Sequence, residues 1–307
     1  MKRLLLALAW LAMLLPQGAE AQRARQGLLS LEDARIFYEV LGTGEPIIVV
    51  HGGPGLDHGY LQPGMDALSG RNTLVYYDQR GTGRSSAELD STAINVDAFV
   101  DDIEALRQAL EFDEVTVLTH SFGSRFGLEY ARRYPDRLRA LILMNPVDPG
   151  TRFAGASATR QEAARTPEDQ EELTRLMATE GFAAQDPATL SAVYRVAFRG
   201  TFRDRSRVDE LDFQLPATTA RNGQEVGRLL GLSMGDGEWW DRLPGIRVPT
   251  LILHGRYDIP PVAMAEALGD AMPNATVSIL ESGHFPYIED ADGLASAVAG
   301  FFVGLNR

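Results

Sequence analysis

Short apolar runs recur along the chain at 35–41, 46–50, 73–78, 115–119, 140–144, 250–254 and 276–280, rich in Val, Ile, Leu and Tyr. Between them lie stretches in which apolar residues return every three or four positions. In 95–111, for example, Val96, Phe99, Ile103, Leu106 and Leu110 share one helical face. Continuous apolar runs alternating with helix-length segments predict a mostly parallel central sheet with helices on both faces. The acidic residues of 95–111, Asp101, Asp102 and Glu104, are expected on its solvated side.

From 147 to 243 the strand pattern stops and polar segments of helical period replace it, notably 166–180 and 186–198. Thr166 before Pro167 and Asp186 before Pro187 read as capped helix starts, and Gly200 as a stop. Strand-like sequence returns at Val248. A helical segment inserted between two strands of such a sheet is expected to form a lid over the site. The expected organisation is therefore a leader (1–21), a first core part (22–146), a helical cap (147–243) and a second core part (244–307).

The leader follows from Lys2 and Arg3 ahead of an apolar run to Leu15, then Pro16, Gly18 and the small-residue pattern Ala19, Glu20, Ala21. This reads as a secretory signal cut after Ala21, with an uncleaved anchor as the alternative; the run is shorter than the roughly 20 residues of a spanning helix. Export to the periplasm or beyond is the expectation. The formal charge is −13, and cleavage makes it one unit more negative, which argues against nucleic acid or an anionic membrane as partner.

Composition narrows the chemistry further. The 307 residues include no cysteine, five histidines and one lysine, Lys2 in the leader. A thiol nucleophile, a thiolate metal site, a lysine Schiff base and a phosphate-loop lysine are thereby excluded from the mature chain. Hydroxyls, carboxylates and imidazoles remain. No histidine pair has ligand spacing on a helix, so neither metal nor cofactor is expected.

A hydroxyl is placed for this work by the sequence Val117, Leu118, Thr119, His120, Ser121, Phe122, Gly123, followed by a helical run to Arg133. A serine on the sharp turn between a buried strand and a helix has its hydroxyl exposed, and small neighbours permit the strained backbone. Ser121 is the expected nucleophile. Asp258 follows the run 250–254, and His284 follows the run 276–280, so serine, acid and histidine occur in that order, the last two at strand ends. His284 would take and return the serine proton, and Asp258 would orient the imidazole. Asp148, after the run 140–144, is the competing acid.

Among the other histidines, His51, His120 and His254 are expected to be structural, and His58 to lie at the surface, where it could touch substrate. Acyl transfer also needs donors for the oxyanion. The N–H of Phe122 and that of Gly53, in the glycine-rich turn after the run 46–50, are the expected pair.

Four segments together, His51 to Gly55 (HGGPG), Asp78 to Ser85 (DQRGTGRS), His120 to Gly123 (HSFG) and His254 to Asp258 (HGRYD), resemble the proline iminopeptidase-like branch of the α/β-hydrolases. The resemblance implies an α/β-hydrolase fold and release of an N-terminal residue, often proline, from short peptides. It makes Asp78 and Arg80 structural. It also implies lid glutamates that bind the substrate ammonium, for which Glu225 and Glu238 are the candidates, while Trp239 and Trp240 either line the pocket or pin the lid. The chain departs from the family pattern at Thr119, where glycine is usual, and at Phe122, where tryptophan is common. Its histidine loop, Phe285 to Asp290, is that of general α/β-hydrolases. An esterase or lactonase acting on small esters through the same triad is therefore the alternative.

Overall fold

The computed structural model describes residues 25–62, 64–235 and 237–305; the expected leader, 1–21, lies outside the described residues. The chain lays down β1 (Arg25–Ser30), β2 (Ala34–Gly42), β3 (Glu45–Val50), β4 (Asn72–Tyr77) and the short β5 (Ser86–Ala87). After α1 (Val96–Ala109) come β6 (Val115–His120), α2 (Ser124–Arg133) and β7 (Leu138–Met144). Among the described residues, five α-helices follow without a strand: α3 (Ala154–Ala164), α4 (Pro167–Met177), α5 (Glu180–Ala183), α6 (Pro187–Arg199) and α7 (Ala217–Ser233). The sheet then resumes with β8 (Thr250–Gly255), α8 (Val262–Ala271), β9 (Ala275–Leu280), α9 (Pro286–Glu289) and α10 (Ala291–Leu305).

The strands form one sheet in the order β1-β2-β4-β3-β6-β7-β8-β9, with β5 beside β2. From β4 through β9 every pairing is parallel, while β2 runs antiparallel to β1, β4 and β5. Side chains alternate between two cores: Ile48, Val50, Val117, Leu141, Leu143 and Ile252 face one, and Ile47, Val49, Leu118, Ile142, Met144 and Leu253 face the other. Helices cover both faces, as the continuous apolar runs require. The edge strand β1 is absent from the sequence reading because its residues are mostly exposed, Leu28 among them.

α1 corrects one expectation. Its apolar stripe is buried as read, but so are Asp102 and Glu104. Arg80 donates through Nε and Nη2 to the two oxygens of Asp102 at 2.9 and 2.7 Å, and Glu104 accepts from Arg107, Gln108 and Tyr130. Helical spacing identifies the apolar face, but a carboxylate with an arginine fork waiting for it is buried alongside that face.

Among its described residues the segment between β7 and β8 holds helices and loops but no strand, and the starts of α4 and α6 are those expected. Thr166 and Asp169 form a capping box on α4, Asp186 caps α6, and Gly200 follows its end. The stretch 166–180 breaks after Met177, where Thr179 caps the single turn of α5. Both ends of the helical segment converge on Arg125 of α2. Its Nη1 donates to the carbonyls of Pro149 (2.6 Å) and Gly237 (2.9 Å), and its Nη2 to that of Asp148 (2.7 Å). Trp239 N–H closes the neck on Pro149 O at 2.9 Å. Among the described residues, no helix is long and apolar enough to cross a membrane.

Candidate active site

β6 ends at His120, and Ser121 turns sharply out of it with φ +55°, a left-handed conformation uncommon for a residue with a β-carbon. α2 starts at Ser124. Thr119 fits beside this turn because a glycine stands opposite: a β-carbon on Gly127 would lie 2.4 Å from Thr119 Cγ2. The space the family's usual glycine supplies within the strand is here supplied by the helix.

The turn 51–55 passes directly against the serine. A β-carbon on Gly52 would lie 2.7 Å from both the His120 carbonyl oxygen and Ser121 Cβ, so only glycine fits. Gly53 follows with φ +61°. His51 anchors the turn: its Nε2 accepts from the Gln79 backbone N–H at 3.2 Å, which leaves Nδ1 to donate to Gly52 O at 2.9 Å. Burial holds the His51 imidazole down to about 4, so it stays neutral.

Asp258 and His284 meet at the far ends of β8 and β9. His284 Nδ1 lies 3.0 and 2.9 Å from the two carboxylate oxygens. Asp258 is fully buried; burial alone would raise its carboxyl, but the His284 imidazole, His254 and Asn145 outweigh this and hold it at about 2. The ionised carboxylate also accepts from Asn145 Nδ2 at 2.7 Å and from the Ile259 N–H at 2.6 Å. Asn145 has φ +47° at the end of β7 and donates to Gly283 O as well, at 3.0 Å, so one side chain braces both loops. From α3, Arg160 donates twice to the Asp258 carbonyl, at 3.0 and 2.7 Å. Thr201 O accepts the His284 N–H at 2.8 Å.

The sequence reading did not single out Asn145 or Arg160. An asparagine before a proline and an arginine on a polar helix carry no signal that separates them from loop and surface residues.

Other expected residues fall as follows. Asp148, the competing acid, accepts from the N–H groups of Gly150 (3.0 Å) and Phe153 (2.5 Å) and from Trp240 Nε1 (3.0 Å), capping the start of the helical segment. His58 is buried rather than at the surface, with Nδ1 at 2.6 Å from Asp78 Oδ1 and Nε2 at 3.8 Å from Glu39. Its burial is made possible by these two carboxylates. Asp78 also accepts from the Arg84 N–H at 2.7 Å, and with the Arg80 fork on Asp102 this makes the DQRG segment a scaffold for the loops beneath the turn.

Glu225 lies half-buried on α7, paired with Arg228. Glu238 accepts from the Thr151 N–H (2.7 Å) and hydroxyl (2.6 Å) at the neck of the helical segment. Trp239 is buried in the core between Arg125 and Arg242, where it pins the neck. Phe122 stacks edge-on against Phe126, with ring centroids 5.7 Å apart.

A cavity of about 450 Å³ opens beside the turn, between Pro54, Gly55 and the helices α5, α6 and α7. Leu190, Val193 and Ala220 give it apolar walls, and its polar lining comes from the uncharged Gln185, Thr219, Gln224 and Tyr194. Neither Glu225 nor Glu238 lines it. Among the described residues no group of three or more His, Asp or Glu is placed to hold a metal ion.

A strained serine between a buried parallel strand and a helix, with an aspartate–histidine pair on the loops after the last two strands, defines a class of fold. The chain belongs to the alpha/beta hydrolase fold family, whose model matches residues 45–291. It is 27% identical over 291 residues to a proline iminopeptidase of Heyndrickxia coagulans, covering 90% of this chain and 98% of that one. A proline iminopeptidase-related protein from Thermus thermophilus superposes with a TM-score of 0.68 at 27% identity, covering 92% and 98% of the two chains. A thermophilic esterase from Thermogutta terrifontis shares the fold, with a TM-score of 0.67 at 22% identity over 92% and 100%. The resemblance carried by the four sequence motifs is thus borne out: the chain is a proline iminopeptidase-like α/β-hydrolase.

Proposed function

We propose that the protein is a serine hydrolase that acts through an acyl-enzyme on Ser121, releasing N-terminal residues from short peptides in the manner of a proline iminopeptidase. The observation that carries the chemistry is the buried, ionised Asp258 on His284 Nδ1, which fixes the tautomer in which His284 Nε2 is free to take a proton. Ser121 Oγ attacks the scissile carbonyl as His284 takes its proton. The backbone N–H groups of Phe122 and Gly53 hold the oxyanion. The intermediate collapses, His284 returns the proton to the leaving amine, and water repeats the sequence to free the acid. The proline iminopeptidase relatives, matched over nearly their whole length, support the peptide substrate.

One observation favours a second reading, an esterase or lactonase: the two glutamates that would receive a substrate ammonium are engaged elsewhere, Glu225 by Arg228 and Glu238 by Thr151. Proline naphthylamide, its N-acetylated form and a panel of p-nitrophenyl esters separate the two. Cleavage of the free amine and refusal of the blocked one is expected. Ester turnover without arylamide cleavage would transfer the assignment to the second reading, and the lack of a fluorophosphonate adduct on Ser121 would defeat both.

A further inference from the structure

Tyr60 is buried and takes no part in the acyl transfer just described, yet its hydroxyl lies between two of the loops that do. The Gly52 N–H donates to Tyr60 Oη at 2.7 Å, and Oη lies 2.8 Å from His120 Nδ1. His120 Nε2 lies 2.9 Å from the carbonyl oxygen of His284. A carbonyl only accepts, so Nε2 carries the ring hydrogen, Nδ1 is bare, and the phenol donates to it. The three hydrogen bonds therefore run in one direction, from the turn that holds the oxyanion donor, through the residue preceding Ser121, to the backbone of His284.

We propose that Tyr60 and His120 are positioning residues that lock the turn 52–53 and the His284 loop into one frame around Ser121, keeping oxyanion donor and general base in register as the tetrahedral intermediate forms. The inference rests on the reading of Ser121 and His284 as nucleophile and base. It also selects between adjacent donors, because the Gly52 N–H is committed to Tyr60 and Gly53 is left to serve the oxyanion.

The chain of bonds is built to keep its direction during turnover. Burial, with His284 beside it, pushes the His120 imidazole down to about 3. It stays neutral when His284, 4.8 Å away between ring centroids, takes the serine proton. Burial pushes the Tyr60 phenol up, so it stays a donor. The tyrosine itself is fixed from both sides: Tyr287 Oη donates to its carbonyl at 3.1 Å, and the Phe285 ring meets its own edge-on at 6.4 Å. Reacting groups displaced by about 1 Å cost on the order of 100-fold in rate, which sets the scale of the effect.

Tyr60→Phe removes the hydroxyl and leaves the packing. Fluorophosphonate titration counts the sites in which Ser121 still reacts, and kcat is then measured per titrated site on the best substrate of the arylamide and ester panel. Affinity for a boronic acid that forms a tetrahedral adduct is measured alongside. The proposal expects full titration, kcat per site at least tenfold lower, KM within twofold of wild type, and boronate affinity falling with kcat/KM. A titrated Tyr60→Phe enzyme with kcat and boronate affinity within twofold of wild type would overturn it. Should Tyr60→Phe fail to fold, His120→Asn keeps an acceptor for the phenol but loses the donor to His284, and the same split between kcat and KM is expected. Turnover surviving in Ser121→Ala would instead sink the nucleophile reading, a result distinct from either outcome at Tyr60.

Discussion

Gly127 on α2 and Thr119 on β6 are locked together sterically: the β-carbon that Gly127 lacks would sit 2.4 Å from the threonine's γ-methyl. Gly127→Ala is therefore expected to destabilise the protein by about 1–3 kcal/mol through overpacking and to lower turnover by shifting the helix that follows Ser121. Adding Thr119→Gly should restore most of both losses. Urea unfolding of the two variants checks this, and strictly additive effects would contradict it.

Ser121 holds a backbone conformation that costs its residue type of order 1–3 kcal/mol. Ser121→Gly should relieve that cost, so the variant is expected to be about 1 kcal/mol more stable than wild type while losing at least about 1,000-fold in turnover. Thermal unfolding and single-turnover kinetics read the two sides separately.

Asp258→Asn removes the carboxylate that orients His284 and is expected to lower kcat by about 1,000- to 10,000-fold. The carboxyl lies lower in the folded chain than its ordinary 3.8, at about 2. Its contribution to stability, about 2 kcal/mol, is thus fully present above the ordinary value and lost as pH falls toward 2. The stability gap between wild type and Asp258→Asn should narrow over that interval in urea titrations.

His58 responds in the opposite sense. Burial alone would lower it, but the hydrogen bond to Asp78 and the nearby Glu39 carboxylate win and raise it from 6.5 to about 9. Its contribution is fully present below pH 6.5 and is lost as pH rises through 9. Wild-type stability should decline across this range, and His58→Gln should flatten the decline whatever its absolute stability. An unchanged slope in the variant would contradict the buried, charged state of this ring.

Arg125→Met removes the donor that holds the Asp148, Pro149 and Gly237 carbonyls at the neck of the helical segment, of which only Pro149 keeps another, the Trp239 N–H, a loss of about 1–3 kcal/mol. Hydrogen exchange should rise first at 148–153 and 237–240 and spare the central strands, because the opened region is the neck.

The core strands β2 to β4 and β6 to β9, and the turn at Ser121, were legible because each rests on a local rule. Runs such as 46–50 and 250–254 are apolar on both faces, and an elbow needs small residues at fixed offsets from one serine. The positions of Asp258 and His284 could be read from strand ends and chain order. Asn145 and Tyr60 could not, since their importance comes from partners far along the chain, and their own neighbourhoods look like ordinary loop. The same reason hid the burial of His58, Asp102 and Glu104: polarity is visible in sequence, but the arginine or carboxylate that makes burial possible is not. The motifs that suggested lid glutamates specified a residue type without a direction, and Glu225 and Glu238 are engaged elsewhere.

The convergence of both ends of the helical segment on Arg125 separates two kinds of inheritance. With the backbones of Pro149 and Trp239 hydrogen-bonded at 2.9 Å at its base, the stretch between them is a cassette whose attachment points are fixed by the sheet and not by its own contents. Helices there can be lengthened, shortened or exchanged without changing the gap they must bridge. A transplanted cassette must nevertheless bring its own counterparts of Arg160 and Thr201, because these two tie the segment to the backbones of Asp258 and His284.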